Sequence, residues 1–112
     1  MNEAGHRQAL EQLRASRTAL DPAADIRLYT EASHGMAIHA VAAGFWRRHG
    51  VDYDQHQGIV RRLREYGYPG TADAFLDLER VRTGRWYGGQ GNGDTAQRVD
   101  ELLEQIKVWS LG

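Results

Sequence analysis

Cysteine is absent from this chain, which removes disulfides, thiolate metal sites and cysteine nucleophiles and fits a reducing compartment. A cytoplasmic location is the expectation. Lysine is nearly absent too: Lys107 stands alone, and every other basic residue is arginine. Arginine suits bidentate phosphate contacts and stacking on aromatic rings, although a GC-rich genome produces the same skew with no functional meaning. Nor is there an excess of one charge. Fourteen basic residues against fifteen acidic leave a net charge of −1, too weak a field to gather nucleic acid or anionic membrane without a local patch. The stretch from Met1 to Arg7 has no apolar run and reads as neither signal peptide nor membrane anchor, so a soluble protein with no membrane partner is expected.

What is present is helical punctuation. At 112 residues the chain has room for one modest core, and a single domain over residues 1–112 is expected. Ala9, Leu10, Leu13, Arg17 and Leu20 share one stripe, with Asn2 as a cap. Asp21-Pro22 reads as the start of a second helix that runs to about His49. This helix is apolar over much of its circumference and dense in alanine and glycine, which places it at the centre of a bundle. Gly50 ends it, and a third helix turns Ile59, Val60, Leu63 and Tyr66 inward. Thr71 offers a cap for a fourth helix with Ala72, Phe75, Leu76 and Leu78 on its apolar stripe. The glycine-rich stretch 88–93 then reads as a connection, closed by an Asp94 to Gln97 capping box ahead of a helix that buries Val99, Leu102, Leu103, Ile106 and Trp109. No strand pattern competes, so the fold expected is an all-α antiparallel bundle of about five helices.

The fourth stripe carries the main chemical signal. At one hundred degrees per residue it continues through Glu79, Arg82 and Trp86, placing charge on an apolar face. A core-facing arginine must be paired or partly solvated, and Glu79 and Trp86 lie within reach by ion pairing and cation–π contact. It reads either as an internal tie between helices or as a ligand-facing group. Arg61, Arg62 and Arg64, with Arg47 and Arg48, offer a phosphate-binding face or simply a solvated surface. No metal and no cofactor are expected, because His34 and His39 are five residues apart and do not share a helix face as an i, i+4 pair would. His56 reads as a residue at a helix start or in a groove. No Ser-His-Asp arrangement or paired-carboxylate motif is identifiable, and the glycine-rich stretch lacks the lysine of a P-loop.

A long helix bearing Tyr29, Ala32, His39-Ala40 and Phe45 is followed by Gly50, then by His56-Gln57-Gly58-Ile59-Val60, and later by the run from Leu78 to Gly88 containing Arg82, Trp86 and Tyr87. This order resembles the HEPN family, the helical nucleotide-binding domains of higher eukaryotes and prokaryotes, from Tyr29 to about Trp109. The resemblance implies a ribonuclease with an arginine followed within a few residues by histidine, or a noncatalytic member acting with a nucleotidyltransferase in a toxin–antitoxin pair. Arg82 matches the arginine. No histidine follows His56, Tyr87 stands where the motif's histidine would fall, and Trp86 replaces an acidic residue. RNA cleavage needs a proton acceptor and a proton donor near neutral pH, and neither tyrosine, titrating at about 10, nor arginine supplies them easily.

The resulting expectation is a noncatalytic HEPN-like domain that binds a nucleotide, RNA or a protein partner through Arg82, Arg85 and Tyr87, with His56 nearby and Glu79 and Trp86 in support. One alternative is a metal-independent ribonuclease in which His56 or His39 takes the missing role. Another is a structural domain that forms a homodimer through the apolar faces of its fourth and fifth helices.

Overall fold

Asn2 opens the first helix, α1 (Glu3–Arg17), by accepting the Gly5 N–H at 2.9 Å in the computed structural model, which describes residues 1–53, 57–84 and 92–112. The second helix, α2, spans Ile26–His49 and starts later than Asp21-Pro22 suggests. The Asp21 carboxylate accepts the N–H groups of Ala23 and Ala24, and Asp25 accepts the N–H of Asp21, so a separate turn consumes the capping group. Gly50 ends α2 in the left-handed region at φ 63°. The short α3 (Ile59–Glu65) follows, then α4 (Pro69–Arg82). Pro69 stands in the first turn of α4, which places Thr71 inside the helix instead of at its cap. The last helix, α5 (Asn92–Leu111), holds Asp94 in its first turn. Most of the glycine-rich stretch lies outside the described residues. These five helices, with no strand among the described residues, make the chain an all-α bundle.

Side-chain pairs fix the helix directions. Trp46 Nε1 donates to the Met1 carbonyl while Arg17 reaches Ser33, so α1 and α2 are antiparallel. Arg82 meets Glu31 and His49 meets Tyr68, so α4 is antiparallel to α2 as well. α5 runs parallel to α2, because Tyr29 bonds Asp100 at one end and Arg47 and Arg48 bond the carbonyls of Trp109 and Ser110 at the other. α2 is the hub: α1, α4 and α5 all pack on it. It contributes Met36, Ala37, Ala40, Val41 and Phe45 to the core, facing Leu63, Phe75, Leu78, Val99, Leu102 and Ile106, all essentially without exposure. Each large side chain so buried contributes about 1.5–3 kcal/mol. Gly44 allows the closest approach, since a Cβ there would stand 2.5 Å from the Trp109 ring. The apolar faces of α4 and α5, which the sequence offers for a homodimer, are covered within the chain. No helix among the described residues is long and apolar enough to cross a membrane.

Candidate functional site

Two facing stripes make the site. On α2 the residues at three- and four-residue spacing are Glu31, His34, Gly35 and Ile38; on α4 they are Leu76, Glu79 and Arg82. Because the helices are antiparallel, the stripes meet as rungs. Glu31 Oε1 accepts from Arg82 Nε at 2.9 Å, His34 Nε2 lies 3.6 Å from Glu79 Oε1, and the His34 ring rests against Phe75 with centroids 5.5 Å apart. The third wall is the start of α3, where Gln57, Gly58, Ile59 and Val60 line the same space. Gly58 adopts a left-handed conformation at φ 79° and Tyr53 Oη donates to the Gln57 carbonyl, which holds this corner in place. Tyr53 is itself anchored against Phe45 and under the Arg62 guanidinium. The groove measures about 770 Å³, large enough for a small organic ligand.

The charges in the groove are unequal in exposure. His34 is only 7% exposed, and burial pushes its pKa below the ordinary 6.5; the Arg82 charge acts in the same direction and Glu79 opposes both. The imidazole is therefore neutral at neutral pH. Its buried Nε2 has no hydrogen-bond partner among the described residues, since 3.6 Å to Glu79 is longer than a hydrogen bond. Arg82 is the opposite case, with 40% of its side chain exposed. Its Nε serves Glu31, and no acceptor for its two terminal amino groups is found among the described residues.

A second cavity of about 440 Å³ opens on the far side of the Arg82–Glu31 pair. Arg27 and Thr30 of α2, Thr83 beyond α4 and Thr95 of α5 contribute to its lining, and both Glu31 and Arg82 face it as well. Arg27 has no ion-pair partner among the described residues. One salt bridge thus separates a chamber bearing Glu79 and His34 beside apolar Ile38, Ile59 and Val60 from a chamber bearing Arg27 and hydroxyl groups. The arrangement can accept an anion at one end and offer carboxylates and an imidazole to hydrogen-bonding groups at the other.

Of the residues singled out from sequence, Arg82 and Glu79 meet in this groove, but as members of two different pairs. Arg82 sits in the last turn of α4, where the stripe runs past the end of the core, and takes Glu31 in preference to Glu79. His56, Arg85, Trp86 and Tyr87 lie outside the described residues. His39 is placed elsewhere, with its Nδ1 3.0 Å from His6 Nδ1 between α1 and α2. Arg47 and Arg48 do not join an arginine face on α3; they are bonded to the last carbonyls of α5, where cationic donors satisfy otherwise open helix ends. His34 and Glu31 are the site residues that sequence reasoning misses. Among the described residues no group of three or more histidine or carboxylate side chains is placed to hold a metal ion.

Arg17, Tyr29, Ser33 and Asp100 form a separate polar cluster. Arg17 lies over the Tyr29 ring at 4.6 Å and donates to Ser33 and Asp100, while the Tyr29 hydroxyl donates to Asp100 at 2.6 Å. Burial, reinforced by the Asp100 hydrogen bond, pushes the Tyr29 phenol up to about 12, so it remains a donor that ties α2 to α5. No family model, no curated protein and no solved structure matches the chain, and the groove between α2 and α4 has to be read from its own residues.

Proposed function

We propose that this chain is a noncatalytic helical binding domain, HEPN-like in the order of its elements, whose groove between α2 and α4 takes a nucleotide or an RNA ligand through Arg82. The supporting observation is the guanidinium itself. It is held at the boundary of two chambers by one carboxylate, and among the described residues its terminal amino groups have no acceptor, which leaves them for a bidentate one such as phosphate. The polarity of the groove suits the rest of a nucleotide. A base entering the larger chamber meets apolar Ile38, Ile59 and Val60, with the Glu79 carboxylate available to its amino groups.

The test combines native and denaturing gels on end-labelled RNA in EDTA, together with equilibrium binding of a labelled mononucleotide. The wild-type protein is expected to shift the RNA or bind the nucleotide without cleaving it, and Arg82→Ala to weaken binding at least tenfold, in line with a charge-assisted hydrogen bond worth about 1.5–3 kcal/mol. Affinity unchanged in the variant would remove Arg82 from the site. A second reading, metal-independent ribonuclease activity, has one observation in its favour: His34 lines the same groove as Arg82. Cleaved RNA on the denaturing gel, lost in His34→Gln, would replace the first reading with this one.

A further inference from the structure

The groove does not end at its third wall. Gln57 and Gly58, which close it there, also line a smaller cavity of about 190 Å³ whose other walls are Tyr53, Arg61, Arg62 and Glu65. At Gly58 the rim shared by the two spaces carries no side chain.

Arg62 is the group that sets this smaller cavity apart. Its guanidinium lies 4.9 Å from the centre of the Tyr53 ring and 5.7 Å from that of Tyr66, and the side chain is half-buried. Both rings pack on the buried Phe45, so the core fixes where the cation stands. The other arginines of α3 and α4, namely Arg61, Arg64, Arg80 and Arg82, each have a carboxylate within 3.4 Å. Arg62 has none among the described residues, and its N–H groups find no protein acceptor there. Glu65 shares the cavity but pairs with Arg61, so two guanidinium groups face one carboxylate and positive charge is in excess.

We propose that Arg62 is a second phosphate subsite and that the ligand of the groove is a single strand of RNA, engaged at Arg82 and again at Arg62, in place of a free nucleotide; this rests on the binding role assigned to Arg82 above. The order of groups follows the strand, in which phosphates alternate with bases. Arg82 lines the larger chamber together with apolar Ile38, Ile59 and Val60, and Arg62 lies beyond the rim that closes that chamber. A mononucleotide has a single phosphate, and one seated on Arg82 leaves Arg62 unused. A strand that is held at one arginine presents its next phosphates to the other at high effective concentration. Each phosphate neutralised on a single strand also adds about 0.7 to the slope of affinity against salt.

The experiment measures equilibrium binding of labelled adenosine 5′-monophosphate and of a labelled oligoadenylate of about eight nucleotides, a span that one small domain covers, across a series of salt concentrations. The proteins compared are wild type, Arg62→Gln, Glu65→Gln and Arg82→Ala. Wild type should bind the oligoadenylate at least about tenfold more tightly than the mononucleotide. Arg62→Gln should weaken the oligoadenylate about five- to tenfold and lower its salt slope by about 0.7, with the mononucleotide unchanged. Glu65→Gln removes an exposed carboxylate and should tighten the oligoadenylate alone, by about two- to threefold. Arg82→Ala should weaken both ligands.

Oligoadenylate affinity and slope unchanged in Arg62→Gln, with Arg82→Ala still weakened, overturns the subsite and leaves the Arg82 reading standing. Equal weakening of both ligands in Arg62→Gln gives that residue a structural role and also overturns the subsite. Should Arg62→Gln fail to fold, Glu65→Gln decides: a gain confined to the oligoadenylate supports the proposal, and no gain ends it. Absence of binding of either ligand to wild type overturns both readings. An oligoglutamate of the same length that binds as tightly as the oligoadenylate would assign the two cations to an acidic peptide and end the proposal.

Discussion

His34 converts an acidic solution into a penalty on folding. Burial and the Arg82 charge hold its pKa below 6.5, so the unfolded chain takes up a proton at a higher pH than the folded chain does. Between 6.5 and the lower folded value the unfolded state binds more protons, and stability is lost as the pH falls through that window. Urea unfolding of wild type and His34→Gln at pH 7.5 and pH 5.5 should show the difference in stability between the two proteins narrowing at the lower pH. A constant difference would mean that His34 titrates alike in both states. The residue was illegible in the sequence for a specific reason: its meaning depends on Glu79 and Phe75, which reach it only when two helices distant in the chain pair antiparallel. Arg82 was legible as a charge interrupting an apolar stripe. Its partner was not, because Glu79 at i−3 is the nearer carboxylate in sequence whereas Glu31 is the one the fold presents.

At the level of the helices, the crossing of α2 and α5 is set by a missing side chain. Gly44 lets the Trp109 ring approach, and a Cβ there would lie 2.5 Å from the ring and 3.0 Å from the Ser110 backbone. Gly44→Ala gains about 1 kcal/mol of helix propensity but crowds a packed core at a cost of about 1–3 kcal/mol, so a net loss of up to about 2 kcal/mol is expected. Denaturant titration checks this, and an unchanged or raised midpoint would mean that α5 moves aside freely. The apolar registers of α1 and α5 could be read from spacing alone, because a stripe that repeats over several turns leaves little choice of face. Helix starts were less accessible. Asp21 carries a strong capping signal yet spends its carboxylate on a separate turn, and Thr71 is overruled by Pro69 two positions earlier.

Across the molecule, support is uneven. Among the described residues the backbone of α1 approaches α2 alone, with the Arg17 side chain adding a tie to Asp100 on α5. α1 should therefore open as a unit of its own, and native-state hydrogen exchange is expected to release its amides at lower free energy than those of α2 and α5. Equal protection of all three helices would place α1 in the same cooperative unit as the core. α2 stands at the other extreme, since three helices pack on it and the same element supplies Glu31 and His34 to the groove. One face of a single rod thus carries the binding groups while its remaining circumference carries the core. Occupancy and cohesion are then coupled variables: a ligand drawing α4 onto α2 raises the melting temperature by mass action, and a substitution that lets the interior breathe also blurs the spacing of the rungs on which recognition depends.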